Sequence, residues 1–248
     1  MRFISYGGGT QSTAMVLMAL EGRMERPDVV IFADTGSEMP STYRTVAVVE
    51  KMCNDEGLQF VTVQKGTLYQ DYMDNEIIPV IGNSSCTDNY KIQPIRRWVR
   101  ANQVEFGPKP WSESWIGITT DERRRKRESD VKWCKNVFPL LDMDMSRQDC
   151  IDYITGSYPF LEVTKSGCFH CHYNNSKHWA KLRKNNPTLF DIAFEMEKIA
   201  RYGQHKMTKG LFQGKSIGMF DYTHQLTDFG IEIYPEDIHC SSSGGCFI

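Results

Sequence analysis

The sequence predicts an α/β fold: a doubly wound parallel sheet followed by a smaller, helical, cysteine-bearing C-terminal part. Three observations predict it. Residues 2–63 alternate between short apolar runs and helical patterns in the order β-α-β-α-β, which is the pattern of a parallel sheet with crossover helices. The run "DVVIFAD", 28–34, is continuously β-branched and aromatic, as a strand buried on both faces must be. Beyond residue 146 the pattern becomes helical, so the expected division is an α/β core over 1–145 and a helical part over 146–248.

The elements follow in order. "RFISY", 2–6, reads as the first strand, and "STAMVLMALE", 12–21, as a buried helix after it. Pro40 and Ser41 open the next helix, with Val46, Ala47, Val49, Met52 and Cys53 on its apolar face and Gly57 at its end. "LQFVTV", 58–63, is the third strand; residues 65–90 have weak periodicity. "YKIQPIRRWVRA", 90–101, reads as a helix with Pro94 near its first turn, and "SWIGI", 114–118, as another buried strand, leading into the charged loop "TTDERRRKRESD". Ser146 caps a helix to Thr155, with Asp149 at the reciprocal position of a capping box. "NPTLFDIAFEMEKIARYG" places Leu189, Ile192, Ala193, Met196, Ile199 and Ala200 at helical spacing, with Pro187 just inside the start and Gly203 after the end.

Composition narrows the function classes. The 29 Lys and Arg against 31 Asp and Glu leave a net charge of −2, so this is not a globally basic nucleic-acid binder. No apolar run approaches the ~20 residues that span a bilayer, and "MRFISYGG" lacks the pattern of a signal peptide, so a cytoplasmic protein without membrane partners is expected. In a reducing compartment, eight cysteines point to metal, cluster or redox chemistry for some and plain burial for others.

The stretch "SYGGGTQSTA", 5–14, carries the first functional signal. Strand, glycine loop and helix is a phosphate-binding layout: loop amides converge, the helix N-terminus adds a positive dipole, and glycine lets oxygens approach the main chain. The common G-x-x-x-x-G-K-[ST] loop is absent, and "GGGTQST" also fails G-x-G-x-x-G. The second signal is "FADTGSEMPSTY", with Asp34 and Gly36 at the carboxyl end of the second strand, where open α/β sheets bind ligands. Asp34 there suits a ribose or adenine contact, or a loop cap.

The loop resembles the S-G-G-x-D-S loop of the PP-loop ATPases, with Gly7 for the first Ser and Gln11 for the Asp. Together with "CTDNYKIQPIRRW", "WIGITTDERRR", "FPLLDMDMSRQDCIDYI" and "KSGCFHCHYNNSKHWAKL", these islands resemble the phosphoadenylyl-sulfate-reductase-like branch of the PP-loop (adenine nucleotide α-hydrolase-like, HUP-like fold) superfamily, a branch also found in phages and mobile elements. The resemblance runs from residue 5 to about 182. It implies an adenine nucleotide contacted by Tyr6, Gly7, Gly8, Gly9, Thr10, Gln11, Ser12, Thr13, Asp34, Thr35, Gly36 and Gly117. In ATP-using members, with Mg²⁺, an acceptor oxygen attacks the α-phosphorus and pyrophosphate leaves; such chemistry rests on charge neutralisation. Ser12, Lys91 and Arg123 are the expected catalytic residues, with Arg96 a further cation facing the site; "DERRRKR" offers Arg123, Arg124 and Arg125, or simply a solvated charged loop, and Arg123 is chosen because it follows the "WIGI" strand end most closely. True sulfonucleotide reductases lack the glycine triplet and carry a Glu-Cys-Gly-type tail; here the triplet is present and Cys246 follows two glycines without a Glu, so ATP is favoured.

"CFHCH" puts Cys168 and Cys171 at a spacing that lets two thiolates reach one metal. By the resemblance, Cys86 and Cys134 complete a set for a 4Fe-4S cluster; His170 and His172 beside the pair would favour Zn²⁺ instead, and free thiols are the third option. Cys53 and Cys150 read as core residues, and the tail residues Cys240 and Cys246 as persulfide carriers, nucleophiles or bystanders. Lys177, Lys181, Arg183 and Lys184 around Trp179, with Arg96, Arg97 and Arg100, are the surfaces a nucleic acid would meet, unless they are solvated helix faces. Three readings stand: an ATP pyrophosphatase that adenylylates an acceptor, DNA or tRNA, for sulfur transfer from a donor such as a cysteine desulfurase; a phosphoadenylyl-sulfate reductase; and a non-catalytic nucleotide- or DNA-binding accessory, for which Gln11 argues.

Overall fold

The computed structural model describes residues 1–82, 85–102, 111–163 and 165–218. In chain order the elements are β1 (Arg2–Tyr6), α1 (Thr10–Leu20), β2 (Val29–Asp34), α2 (Pro40–Asp55), β3 (Gln59–Gln64), α3 (Leu68–Asp74), α4 (Ser85–Thr87), a π-helical turn (Asp88–Ile92), α5 (Gln93–Asn102), β4 (Ser112–Trp115), a 3-10 turn (Thr120–Arg125), β5 (Cys134–Val137), α6 (Pro139–Asp142), α7 (Arg147–Ser157), α8 (Ser176–Asn185) and α9 (Pro187–Tyr202). The sheet is wholly parallel with strand order β3-β2-β1-β4-β5. The α/β, doubly wound expectation therefore holds.

Side-chain alternation along the strands explains the double winding. Ile4, Tyr6, Val30, Phe32 and Trp115 face α1, α2 and α7 in one core, where Met15, Leu17, Val49, Cys150 and Ile154 are fully or almost fully buried. The alternate residues Phe3, Val29, Ile31 and Ala33 meet Ile95 and Val99 of α5 on the other face. Strand order reverses between β1 and β4, which opens a crevice at their carboxyl ends.

The chain divides into two compact units. The first takes in Met1–Lys65 and Thr87–Gly167; of the described residues, the second takes in Gly66–Cys86 and those from Cys168 onward. This differs from a division at residue 145. Helix α7, begun by the expected Ser146/Asp149 capping box, packs on α1 through Cys150 and Ile154, so it belongs to the sheet unit. Within the second unit α9 starts at Pro187 as expected and buries Phe190, Ala193, Met196 and Ala200. Trp179 of α8 is fully buried. No described helix is long and apolar enough to cross a membrane.

Candidate functional site

The glycine loop lies at the switch point of the sheet. Gly7, Gly8 and Gly9 join the end of β1 to α1, whose N-cap is Gly9 with no side-chain cap and no acidic residue in the first turn. An anion placed there meets main-chain amides and the helix dipole unopposed by a carboxylate. Two glycines are required by their surroundings. Gly8 has φ +67°, and a Cβ there would lie 2.7 Å from Thr42 Cγ2 and 3.1 Å from Val46 Cγ2. At Gly117, just beyond β4, a Cβ would come within 3.0 Å of the Ser12 amide nitrogen. The end of β4 thus closes directly on the first turn of α1.

The hydroxyls of the loop are turned inward. Ser12 Oγ donates to the Gly9 carbonyl (3.2 Å) and accepts from the Gly7 amide (3.3 Å). Thr13 Oγ1 shares a buried hydrogen bond of 3.2 Å with the Tyr6 hydroxyl, whose phenol burial pushes well above its ordinary value. Ser12, Thr13 and Tyr6 therefore brace the loop, whose main-chain amides stand beside these hydroxyls. Thr10 is buried in the same turn. Gln11 reaches out of it: its Nε2 donates to Glu122 Oε2 at 3.4 Å, and Glu122 accepts from Arg125 at 2.6 Å.

At the end of β2, Asp34 Oδ1 accepts from the Gly36 amide (2.7 Å) and the Tyr43 hydroxyl (2.8 Å), which makes Asp34 a cap of its own loop. Gly36 has φ +63°, the conformation that turn needs. Thr35 Oγ1 donates to Glu38 (3.2 Å), and Lys91 Nζ lies 3.0 Å from the same Glu38 oxygen. The Glu38 side chain is wholly buried and that of Lys91 is 16% exposed, so the pair is a desolvated ion pair at the carboxyl edge of the sheet.

Two expectations about cations change. Arg123 is two-thirds exposed and faces Asp144 at 3.9 Å, whereas Arg125, only 22% exposed, is the arginine linked through Glu122 to the loop. The 3-10 turn, at three residues per turn, decides which of the three consecutive arginines turns inward, and strand distance alone does not. Arg96 does not face the loop: it forms a two-bond ion pair with Asp130. Glu38 and Glu122 were missed, and Arg125 was weighed beside Arg123 and passed over; "TGSE" and "DERRR" held the residue types but no periodicity to single them out.

In the second unit a knuckle of turns carries Cys168 and Cys171: the Cys171 amide donates to the Cys168 carbonyl (3.2 Å), and Asn174 Nδ2 to the carbonyls of Cys168 (3.2 Å) and Phe169 (3.4 Å). Tyr72 of α3 lies near Cys86 and Cys168; burial, with those thiols, raises its phenol. His170 and His172 are 1% and 2% exposed, and none of their four ring nitrogens has a hydrogen-bond partner among the described residues. Thiols and buried imidazoles are the donor chemistry of zinc or an iron–sulfur cluster. Among the described residues, however, no three Cys, His, Asp or Glu side chains are gathered to hold a metal ion. Cys134 is a core residue of the first unit, packed with Phe3, Ile95 and Val99 on β5, and burial pushes its thiol up to about 11. Trp179 is fully buried and has no face for a base. Cys240 and Cys246 lie outside the described residues.

Residues 2–158 match the phosphoadenosine phosphosulfate reductase domain. Two uncharacterized proteins of Methanocaldococcus jannaschii are similar: one is 23% identical over 218 residues, 86% of this chain and 51% of its own length, and the other 22% identical over 228 residues, 86% and 45%. The chain thus spans about half the length of the curated relatives it matches. Among solved structures, the phosphate complex of phosphoadenylyl-sulfate reductase from Candida auris is 14% identical, covering 68% of this chain and 81% of that one at a TM-score of 0.47. The U34-tRNA thiolase NcsA of Methanococcus maripaludis, solved with its [4Fe-4S] cluster, is 15% identical, covering 95% and 83% at a TM-score of 0.43.

Proposed function

Because the chain belongs to the phosphoadenosine phosphosulfate reductase domain family of the PP-loop superfamily, we propose that it is an ATP pyrophosphatase that adenylylates an acceptor. The observation that carries this reading is the uncapped, acid-free helix N-terminus behind three consecutive glycines at the sheet's switch point. A pyrophosphate wrapped by main-chain amides is what that loop suits, and inward-braced hydroxyls keep it in shape without competing for the ligand. The acceptor oxygen attacks the α-phosphorus, the bond from that phosphorus to the bridging oxygen breaks, and pyrophosphate leaves. Mg²⁺ bound with the nucleotide neutralises phosphate charge. Lys91, held by Glu38, and Arg125, held by the Glu122 that pairs with Gln11, would supply positively charged donors to the phosphates. The acceptor is DNA or tRNA and the purpose sulfur transfer, with a cysteine desulfurase as a suitable donor. Cys86, Cys168 and Cys171 of the second unit would hold a 4Fe-4S cluster or Zn²⁺.

The test is pyrophosphate release from ATP and Mg²⁺ in the presence of nucleic-acid acceptors. Pyrophosphate in proportion to adenylylated acceptor is expected; orthophosphate as sole product would overturn the reading. The family's own name favours a second reading, reduction of phosphoadenylyl sulfate to sulfite through a tail cysteine. In that case Cys246→Ser abolishes sulfite release, and the glycine loop prefers phosphoadenylyl sulfate over ATP.

A further inference from the structure

Helix α5 has two unlike faces. Ile95 and Val99 are buried in the core, while Gln93, Arg96, Arg97 and Arg100 recur at helical spacing on the other side. With Asp130 and Trp133 that side walls an open surface cleft of about 680 Å³ in the first unit. Trp133 immediately precedes β5, and its carbonyl accepts from the amide of Ser112, where β4 begins. All strands being parallel, α5 starts two residues after Lys91, at the carboxyl edge where the glycine loop lies, and runs back towards the amino edge, where Trp133 and the start of β4 sit, so the cleft leads along α5 away from the loop.

The charges in the cleft do not balance. Asp130 spends its carboxylate on both outer nitrogens of Arg96. Arg97 and Arg100 have no carboxylate partner among the described residues. The helix dipole favours Arg100 in the last turn but not Arg97, one turn earlier, and two cations three residues apart repel. An arginine fork matches phosphate oxygens in pairs, and the half-buried indole of Trp133 lies in the same wall.

We propose that this cleft binds the phosphodiester backbone of a single-stranded stretch of nucleic acid, with Arg97 and Arg100 on phosphates and Trp133 offering a face to a base. The assignment rests on the reading that the acceptor is a nucleic acid, and it gives that acceptor a docking point in a cleft that leads away from the glycine loop.

The experiment is fluorescence anisotropy of the full chain with labelled single-stranded RNA and DNA of roughly twenty nucleotides, across a salt series. The variant is Arg97→Gln/Arg100→Gln, whose positions are exposed and whose helix propensity is kept; circular dichroism checks the fold. Affinity should fall at least about tenfold at low salt, and the slope of log K against log salt should flatten by about 1.4, two phosphates at ~0.7 each. ATP affinity should be unchanged. Affinity and slope equal to those of the unmodified protein would overturn the proposal, as would an unmodified protein that binds ATP but neither oligonucleotide. Full displacement of the oligonucleotide by adenosine 3′,5′-bisphosphate, acting through the same two arginines, would reassign the cleft to a free nucleotide. Arginine-dependent binding of the oligonucleotide without any ATP binding would leave the cleft's role in place and refute the proposed function.

Discussion

Replacing Gly8 by alanine perturbs the loop in two separable ways. The first is conformational: at φ +67° an L-residue carries a left-handed penalty of about 1–2 kcal/mol. The second is steric: the new Cβ falls 2.7 Å from Thr42 Cγ2 and 3.1 Å from Val46 Cγ2, both on α2, and overpacking of this kind costs about 1–3 kcal/mol. Together they amount to about 2–5 kcal/mol against a typical total of ~5–15, so the variant folds but is weakened. Thr42→Ser removes the nearer methyl at its own cost of about 1 kcal/mol. Because the new Cβ meets that methyl, Gly8→Ala/Thr42→Ser is less destabilised than the sum of the single changes by about 1–2 kcal/mol, and the conformational part remains. Urea unfolding of the four proteins measures this coupling. ATP titration of the same set should show weaker binding in both proteins that carry Gly8→Ala, since the amides this change displaces are those proposed to meet phosphate. Additivity within about 0.5 kcal/mol would refute the steric argument. Undiminished ATP affinity in Gly8→Ala would refute the placement of the nucleotide.

Other perturbations have expected outcomes. Lys91→Met strands the buried Glu38 carboxylate and should cost about 3–5 kcal/mol in urea; Lys91→Met/Glu38→Met should recover stability but not pyrophosphate release. Glu197, 2% exposed in the second unit, accepts from the Leu211 amide (2.9 Å), the Ile217 amide (3.1 Å) and Ser216 Oγ. Glu197→Ala should cost about 2–4 kcal/mol, with faster hydrogen exchange at Leu211 and Ile217. Burial pushes the thiols of Cys53 and Cys150 up to about 12 and that of Cys134 to about 11, so at pH 8 less than about one in 500 is thiolate. These three should resist iodoacetamide in the native protein and label only on unfolding, as peptide mass mapping would show. In protein stripped by a chelator, Cys86, Cys168 and Cys171, none of them fully buried, should label first.

What the sequence made legible is what local patterns encode. β1, β2 and α2 were plain because continuous apolar runs and the Pro40 start leave few alternatives. The helix start at Ser146 was legible because both halves of its capping box lie within four residues. β5, "CKNV", was not: a four-residue edge strand with a lysine and an asparagine draws its conformation from pairing with β4. α3, "LYQDYMD", buries only Leu68 and Tyr72, too few to set a period. Its membership of the second unit depends on contacts across more than a hundred residues, for instance with α9, which no local pattern records. In the candidate site the loop was legible by type, but partners were not. Ser12 and Thr13, read as phosphate donors, also hydrogen-bond within the loop, a pairing the sequence could not show because a hydroxyl takes whatever acceptor the fold brings near. Trp179 among lysines looked like a base platform, yet with Leu182 three residues on it is the buried stripe of α8.

Calorimetric competition between ATP with Mg²⁺ and phosphoadenylyl sulfate, on protein purified without oxygen, tests the central claim most directly, since binding needs no acceptor. Tighter binding of ATP, weakened by Gly8→Ala, is expected. Preference for phosphoadenylyl sulfate, or ATP binding indifferent to that substitution, would contradict it.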